Sequence, residues 1–233
     1  MTMRSDDIPD NISVGSEDGI EVSGWTWWVD PPAGWLVVPA TGLHAPDDIA
    51  RWEQEATGAV RESVEPVPDE SGETVELDDA ARAELDQLAA DSVANLRGFA
   101  DGMAPGGNRV VGALGVMGNG PVPVLVAVGV SDPADPDDGL MEALGATGGS
   151  PATPPNVEHL DLPDGDGVRV VRLDIDEFGT AWMSVALGRR VEHPDAVVDT
   201  VLVWRTVDLF LGAAMVELLD QLLPTVQTVR STT

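Results

Sequence analysis

The sequence predicts a mixed α/β protein, in which an antiparallel β-sheet carries helices packed on its faces. Three observations predict this class. The run Val110–Val130 is uncharged and contains Asn119-Gly120, a pair that favours the turn of a β-hairpin. Short runs rich in branched apolar residues recur in the C-terminal half, as strands require. Two other segments, residues 47–60 and 208–223, repeat apolar residues at the spacing of an amphipathic helix.

The chain length allows one large domain or two small ones. With 233 residues, the chain can bury a sizeable core without disulfides, and we expect a single α/β sandwich domain over residues 24–229. Residues 1–23 are acidic and lack the apolar run of a secretory signal, so we expect a flexible acidic tail and a cytoplasmic protein. Residues 230–233 form a second short tail in this prediction.

The first half of the domain combines early strands with two helices. The tryptophan-rich stretch Gly24–Pro39 surrounds a Pro-Pro turn and predicts one or two short strands at the start of the sheet. A first helix is expected to begin with a cap at Asp47, and a second to run from Leu77 to Gly102. The residues expected to face inward are Ile49, Trp52, Ala56 and Val60 in the first helix, and Leu85, Leu88, Val93, Leu96 and Phe99 in the second.

The second half is predicted to be mostly strand, ending in a helix. The run Val110–Val130 is apolar on both faces, which places its hairpin in the middle of the sheet, and its two prolines argue against a membrane-spanning helix. Further strands are expected at Val157–Leu162, Val168–Ile175, Ala181–Leu187 and Val197–Trp204. The last helix, Asp208–Leu223, should lie across the sheet with Leu211, Met215, Leu218 and Leu222 inward.

The acidic stretch LDLPDGDGVRVVRL, residues 160–173, has two interpretations, a cation-binding loop or a tight corner. An EF-hand loop that begins at Asp164 would place Val168 at its fifth position and Arg169 where glycine is required, so the calcium pattern fails. Asp-Gly steps between two strand-like runs instead predict a turn. Beyond it, the apolar alternation changes phase between Val170 and Val171, which predicts a β-bulge.

The composition excludes several kinds of chemistry. Cysteine, lysine and tyrosine are absent, which removes thiol nucleophiles, thiolate zinc sites, Walker A loops and Schiff-base lysines, and we expect no cofactor. Three histidines stand at no metal-binding spacing. The net charge of −29 repels phosphate backbones and anionic lipids, so neither nucleic acid nor a membrane is the expected partner.

Two groups of residues are candidates for a site. The first consists of tryptophans that either fill the core or form a platform for a ligand: Trp25, Trp27, Trp28 and Trp35. The second is the densest cluster of carboxylates on a strand, the alternative site for a divalent cation: Asp174, Asp176 and Glu177. No residue stands out as a catalytic nucleophile or base.

Two local motifs carry a resemblance to a known family. The order LP-x-G-x-x-VRV at Leu162–Val170 and the entry segment at Pro32–Trp35 resemble an uncharacterised actinobacterial family with an LPAGPAVR-like hairpin. This sequence departs from that pattern at Asp164 and Asp166. The family in turn resembles the PsbP-like α/β/α sandwich. That resemblance implies a non-catalytic partner of larger assemblies and carries over no catalytic residue.

These observations favour a non-catalytic accessory or partner-binding protein. The partner is expected to be a protein, and a basic one would complement the acidic surface. Two alternatives stay open. One is an enzyme that uses clustered carboxylates with a divalent cation, and the other is an acidic antagonist that shields a basic partner protein.

Overall fold

The computed structural model describes residues 19–32, 34–64, 77–103, 109–116, 120–134, 139–149 and 151–231. Its strands are β1 (Ile20–Val22), β2 (Trp25–Val29), β3 (Trp35–Val38), β4 (Arg109–Val116), β5 (Gly120–Ser131), β6 (Asn156–Leu162), β7 (Gly165–Ile175), β8 (Ala181–His193), β9 (Ala196–Thr206) and β10 (Val226–Arg230). Its helices are α1 (Pro46–Val64), α2 (Asp79–Met103), α3 (Gly139–Ala143) and α4 (Leu209–Leu222). None of these helices is both long and apolar enough to cross a membrane.

Contacts between residues divide the chain into two compact units. The first unit holds β3, α1, α2, most of β4 and the start of β5, up to Pro123. The second unit holds β1, β2 and everything from Val124 to the C-terminus. Ile20–Val22, which the sequence analysis placed in the N-terminal tail, form β1. A single domain over residues 24–229 stays a prediction.

The first unit packs two helices with a short stretch of antiparallel sheet. β3 pairs with β4 from Trp35 opposite Leu114 to Val38 opposite Val111, and β4 lies between β3 and β5. The turn predicted at Asn119-Gly120 falls partly outside the described residues. The core is built from residues of β3, the segment just after it, α1 and α2: Leu36, Val38, Ala40, Trp52, Ala56, Val60, Ala89, Val93, Leu96 and Ala100.

Helix α1 begins one residue before the predicted cap. Pro46 occupies the first helical position, where its fixed φ angle suits the helix and its missing N–H costs nothing, so Asp47 lies inside the first turn. The predicted stripe is confirmed at Trp52, Ala56 and Val60, all of which are buried.

Helix α2 confirms only part of the predicted stripe, because Val93 and Leu96 are buried as expected. Leu88 is 49% exposed and Phe99 is 37% exposed, so their inward placement was wrong. The buried positions next to them are Ala89 and Ala100, in line with Val93 and Leu96. Because one residue turns a helix by about 100°, a stripe that starts at Ala89 directs Leu88 away. The small alanines allow close packing of two helices, which apolar periodicity alone does not register.

The second unit contains two antiparallel sheets. The smaller has the order β1-β2-β10, and the larger runs β5-β9-β8-β7-β6 within this unit. The prediction that the tryptophan-rich stretch starts the main sheet was wrong for β2, which pairs with β1 and with β10, for example Trp28 opposite Gln227. β10 lies near the C-terminus, so this pairing has no local sequence signal.

Helices cover both faces of the larger sheet, which confirms the mixed α/β class with an antiparallel sheet. On one face, Val170 and Ala186 pack with Leu140 and Leu144, in and next to α3. On the other face, Met183 lies so close to Gly212 of α4 that a Cβ there would overlap its methyl group. Gly212 therefore lets α4 approach the sheet.

The β-bulge predicted in β7 is absent. The register with β8 continues without interruption, with Val170 opposite Ala186 and Val171 opposite Val185. Because successive residues of a strand point to opposite faces, Val170 faces α3 and Val171 faces the side of α4. The apolar pattern changes phase because both faces are covered, not because a residue is inserted.

The last helix agrees with the prediction in extent but not in every inward residue. Asp208 is its N-cap, with Oδ1 accepting hydrogen bonds from the N–H groups of Phe210 and Leu211. Met215 and Leu222 are buried as expected, whereas Leu218 and Leu211 are only partly buried and Leu219 is fully buried. The buried stripe thus includes Gly212, which lies against Met183 of β8.

Candidate interaction surface

The four candidate tryptophans do not share one exposed surface. Trp25 and Trp27 are buried on β2, and Trp35 is buried on β3 in the first unit, whereas Trp28 is the partly exposed member. The ring of Trp25 also contacts His193, with ring centroids 4.4 Å apart. Most of this indole surface is therefore occupied within the protein. A ligand-binding role for these tryptophans stays a prediction.

The three candidate carboxylates are used in different ways. Asp174 on β7 pairs with Arg172, whose Nε lies 2.8 Å from Oδ1. Asp176 organises the turn after β7, and Glu177 is exposed within that turn. Among the residues that the structure describes, no group of three histidine or carboxylate side chains is placed to hold a metal ion. The cation site stays a prediction.

The stretch that begins at Leu160 is a corner, as predicted. Leu162 pairs with Gly165, so Pro163 and Asp164 form a two-residue hairpin loop between β6 and β7. Gly165 has a φ of 144°, a backbone angle that residues other than glycine rarely adopt. The Asp164 carboxylate accepts a hydrogen bond from Arg189 Nη1 over 3.1 Å, so its role in the fold is an ion pair.

The second unit presents exposed apolar side chains at one end of its larger sheet. At this end β7 finishes, β8 starts and β9 leads into α4, because Ile175 pairs with Ala181 and Met183 with Thr206. The exposed large apolar side chains here, which we call the aromatic tip, are Ile175, Phe178, Val207, Leu209 and Phe210. Phe178 is 85% exposed and Phe210 is 95% exposed. Such a group of apolar side chains is typical of an interaction site.

Both phenylalanines of the aromatic tip are held by an aspartate two residues earlier. The Asp176 Oδ1 atom accepts a hydrogen bond from the N–H of Phe178 over 3.0 Å. The Asp208 Oδ1 atom does the same for the N–H of Phe210, also over 3.0 Å. Side-chain bonds of this kind fix turns and helix starts. The two rings therefore project from an ordered backbone.

The turn that carries Phe178 has further support. Asp176 Oδ1 also accepts from the N–H of Thr180 over 2.8 Å, and Oδ2 accepts from Trp182 Nε1 over 3.2 Å. The Thr180 N–H contributes most to lowering the pKa of the Asp176 carboxyl below its usual value. The carboxylate is therefore ionised at neutral pH. Trp182 lies on β8, and the guanidinium of Arg205 on the neighbouring β9 is 5.4 Å from the centre of its ring.

Sequence reasoning did not single out the aromatic tip. Phe178 and Phe210 stand in the repeated pattern Asp-x-Phe, at Asp176–Phe178 and Asp208–Phe210, and each copy follows a strand. This repeat, in a chain with three phenylalanines, is the signal that could have identified them. What the sequence could not supply is the exposure of the rings.

The chain matches no protein-family model, and the curated proteins contain no match to it.

Proposed function

We propose that this protein is a non-catalytic accessory protein that acts in the cytoplasm and binds a partner protein through the aromatic tip. The observation that carries the proposal is the near-complete exposure of Phe178 and Phe210 on backbone that Asp176 and Asp208 hold in place. The family resemblance at Leu162–Val170 implies a partner of larger assemblies, and it agrees with this proposed function.

Energetics support a binding role for these rings. Burying one phenylalanine side chain is worth about 1.5–3 kcal/mol, and an exposed ring leaves that free energy unused in the isolated protein. Binding of a partner that covers Phe178 and Phe210 gains this free energy of burial. Because the backbone of both residues is already ordered, binding loses little backbone entropy, and aromatic side chains are enriched at protein interfaces.

The proposal is tested with the full chain carrying Phe178→Ser and Phe210→Ser together. Wild type and variant are immobilised, and the proteins that each retains from a lysate of the source cells are quantified by mass spectrometry. We expect at least one protein that wild type retains and the double variant loses. Because both rings are exposed, the variant should unfold at the same denaturant concentration as wild type.

The matched control is Phe99→Ser, the same change at an exposed ring on α2 in the first unit. This variant should retain the same proteins as wild type. The proposal is overturned if wild type and the double variant retain identical sets, or if wild type retains nothing and its mass in solution is that of a monomer.

A further inference from the structure

The charges around the aromatic tip restrict what can cover it. The carboxylates within its two Asp-x-Phe segments are Asp176, Glu177 and Asp208, and the arginine of the adjoining strand end is Arg205. Asp174 is neutralised by its ion pair with Arg172. The side chains around the rings thus carry more negative than positive charge, in a chain whose net charge is −29.

We infer, on the basis of the proposed function, that the partner is a basic protein whose apolar pocket for the phenylalanines is bordered by arginine or lysine side chains. Opposite charges at the border of an interface speed association and reject partners of the wrong sign. A second copy of this chain would bring the same carboxylates and the same net charge, so like charges would repel across that contact. An apolar pocket complements the rings, and a cationic border around it complements the carboxylates.

The positioning role of the aspartates can be separated from their charge. Asp208 uses one oxygen atom, Oδ1, for both of its cap hydrogen bonds, and an asparagine carbonyl caps helices about as well. Asp208→Asn therefore removes the charge and keeps Phe210 in place. Asp176 is left unchanged because both of its oxygens accept hydrogen bonds, which an amide cannot reproduce. Glu177→Gln removes the second carboxylate charge of that turn and leaves the charge of Asp176 in place.

The experiment uses fractions of the source-cell lysate as the probe. The lysate is separated into proteins that bind a cation exchanger, which are basic, and proteins that do not. We expect the protein whose retention requires Phe178 and Phe210 to lie in the basic fraction. Its retention should fall severalfold between about 0.05 M and about 0.3 M salt, since the Debye length shortens over that range.

The charge variant distinguishes the two proposals. Glu177→Gln with Asp208→Asn should weaken retention by about twofold to thirtyfold, the range for two exposed charge pairs, and should flatten the salt dependence. Glu62→Gln with Glu84→Gln, the same charge change on the helices of the first unit, should leave retention unchanged.

Two results would overturn the inference while leaving the proposed function intact. One is a phenylalanine-dependent partner in the fraction that does not bind the cation exchanger. The other is a partner that the charge variant retains as well as wild type does at every salt concentration. Self-association through the aromatic tip would overturn the inference too. The absence of any phenylalanine-dependent protein from both fractions would contradict the proposed function itself.

Discussion

Arg189 Nη2 donates a hydrogen bond to the backbone carbonyl of Val226 over 2.6 Å, which connects β8 to the first residue of β10. Arg189 is only 2% exposed, and its Nη1 reaches the surface carboxylate of Asp164. A buried cation here thus joins the larger sheet, the hairpin loop after β6 and the C-terminal strand.

Replacing this guanidinium should destabilise the second unit. We expect Arg189→Met to lower the free energy of unfolding by about 1–3 kcal/mol, because the buried Val226 carbonyl loses its donor. Denaturation in urea, followed by circular dichroism, measures the change. Asp164→Asn changes only the exposed partner and should cost less than about 1 kcal/mol. Equal stability of Arg189→Met and wild type would show that the contact contributes nothing.

The hairpin loop between β6 and β7 requires glycine at its end. A Cβ at Gly165 would lie 2.4 Å from the carbonyl oxygen of Arg190, and its φ of 144° strains any other residue. We expect Gly165→Ala to cost about 2 kcal/mol or more of unfolding free energy. Gly24→Ala is the matched control, since Gly24 also has a positive φ but has open space around its Cβ direction. Equal losses in the two variants would rule out the clash as the cause.

Two leucines of α2 test which face of this helix is inside. Leu96 is buried among residues of both helices, so Leu96→Ala should cost about 2–5 kcal/mol. Leu88 is half exposed, and Leu88→Ala should change the unfolding free energy by no more than about 0.5 kcal/mol. Guanidinium denaturation of the full chain measures both changes. A loss for Leu88→Ala as large as that for Leu96→Ala would restore the inward position that the sequence predicted for Leu88.

The turn beneath Phe178 should weaken in acid. Hydrogen bonds hold the pKa of Asp176 below its usual value, and the Thr180 N–H makes the largest contribution. The stabilisation by the ionised carboxylate is therefore complete above about pH 4, and it is lost as the pH falls through the lower pKa that Asp176 has in the folded state. The N–H resonance of the Trp182 indole, which donates to Asp176, should report this by NMR.

That resonance is assigned by its loss in Trp182→Phe. In Asp176→Asn, the acid titration of the signal should disappear. A midpoint at or above the ordinary aspartate value would contradict the hydrogen-bonded turn.

The positions of most elements could be predicted from the sequence because their signals are local. The hairpin loop at Pro163-Asp164 follows from turn chemistry, and the stripe at Trp52, Ala56 and Val60 follows from helical spacing. The orientation of α2 could be predicted only in part, since Val93 and Leu96 are buried as expected but apolarity alone does not distinguish Leu88 from Ala89. The difference arises only when a second helix packs against it.

The aromatic tip was not identified from the sequence. Asp176 and Glu177 were selected as metal ligands, and they lie at the aromatic tip, where Asp176 holds a turn. Phe178, one residue further, was not considered, because a single phenylalanine after a strand carries no signal of exposure. No local rule states whether a partner within the chain will cover it.

The sequence by itself determined the class of fold, the order of most strands and helices, and the corner at Gly165, because alternation, helical spacing and Asp-Gly steps act over a few residues. Only the tertiary structure decided that β2 pairs with β10, that both faces of β7 are covered, and that Phe178 and Phe210 remain exposed. Burial depends on which distant residues lie opposite, and for β2 that partner is about 200 residues away in the chain.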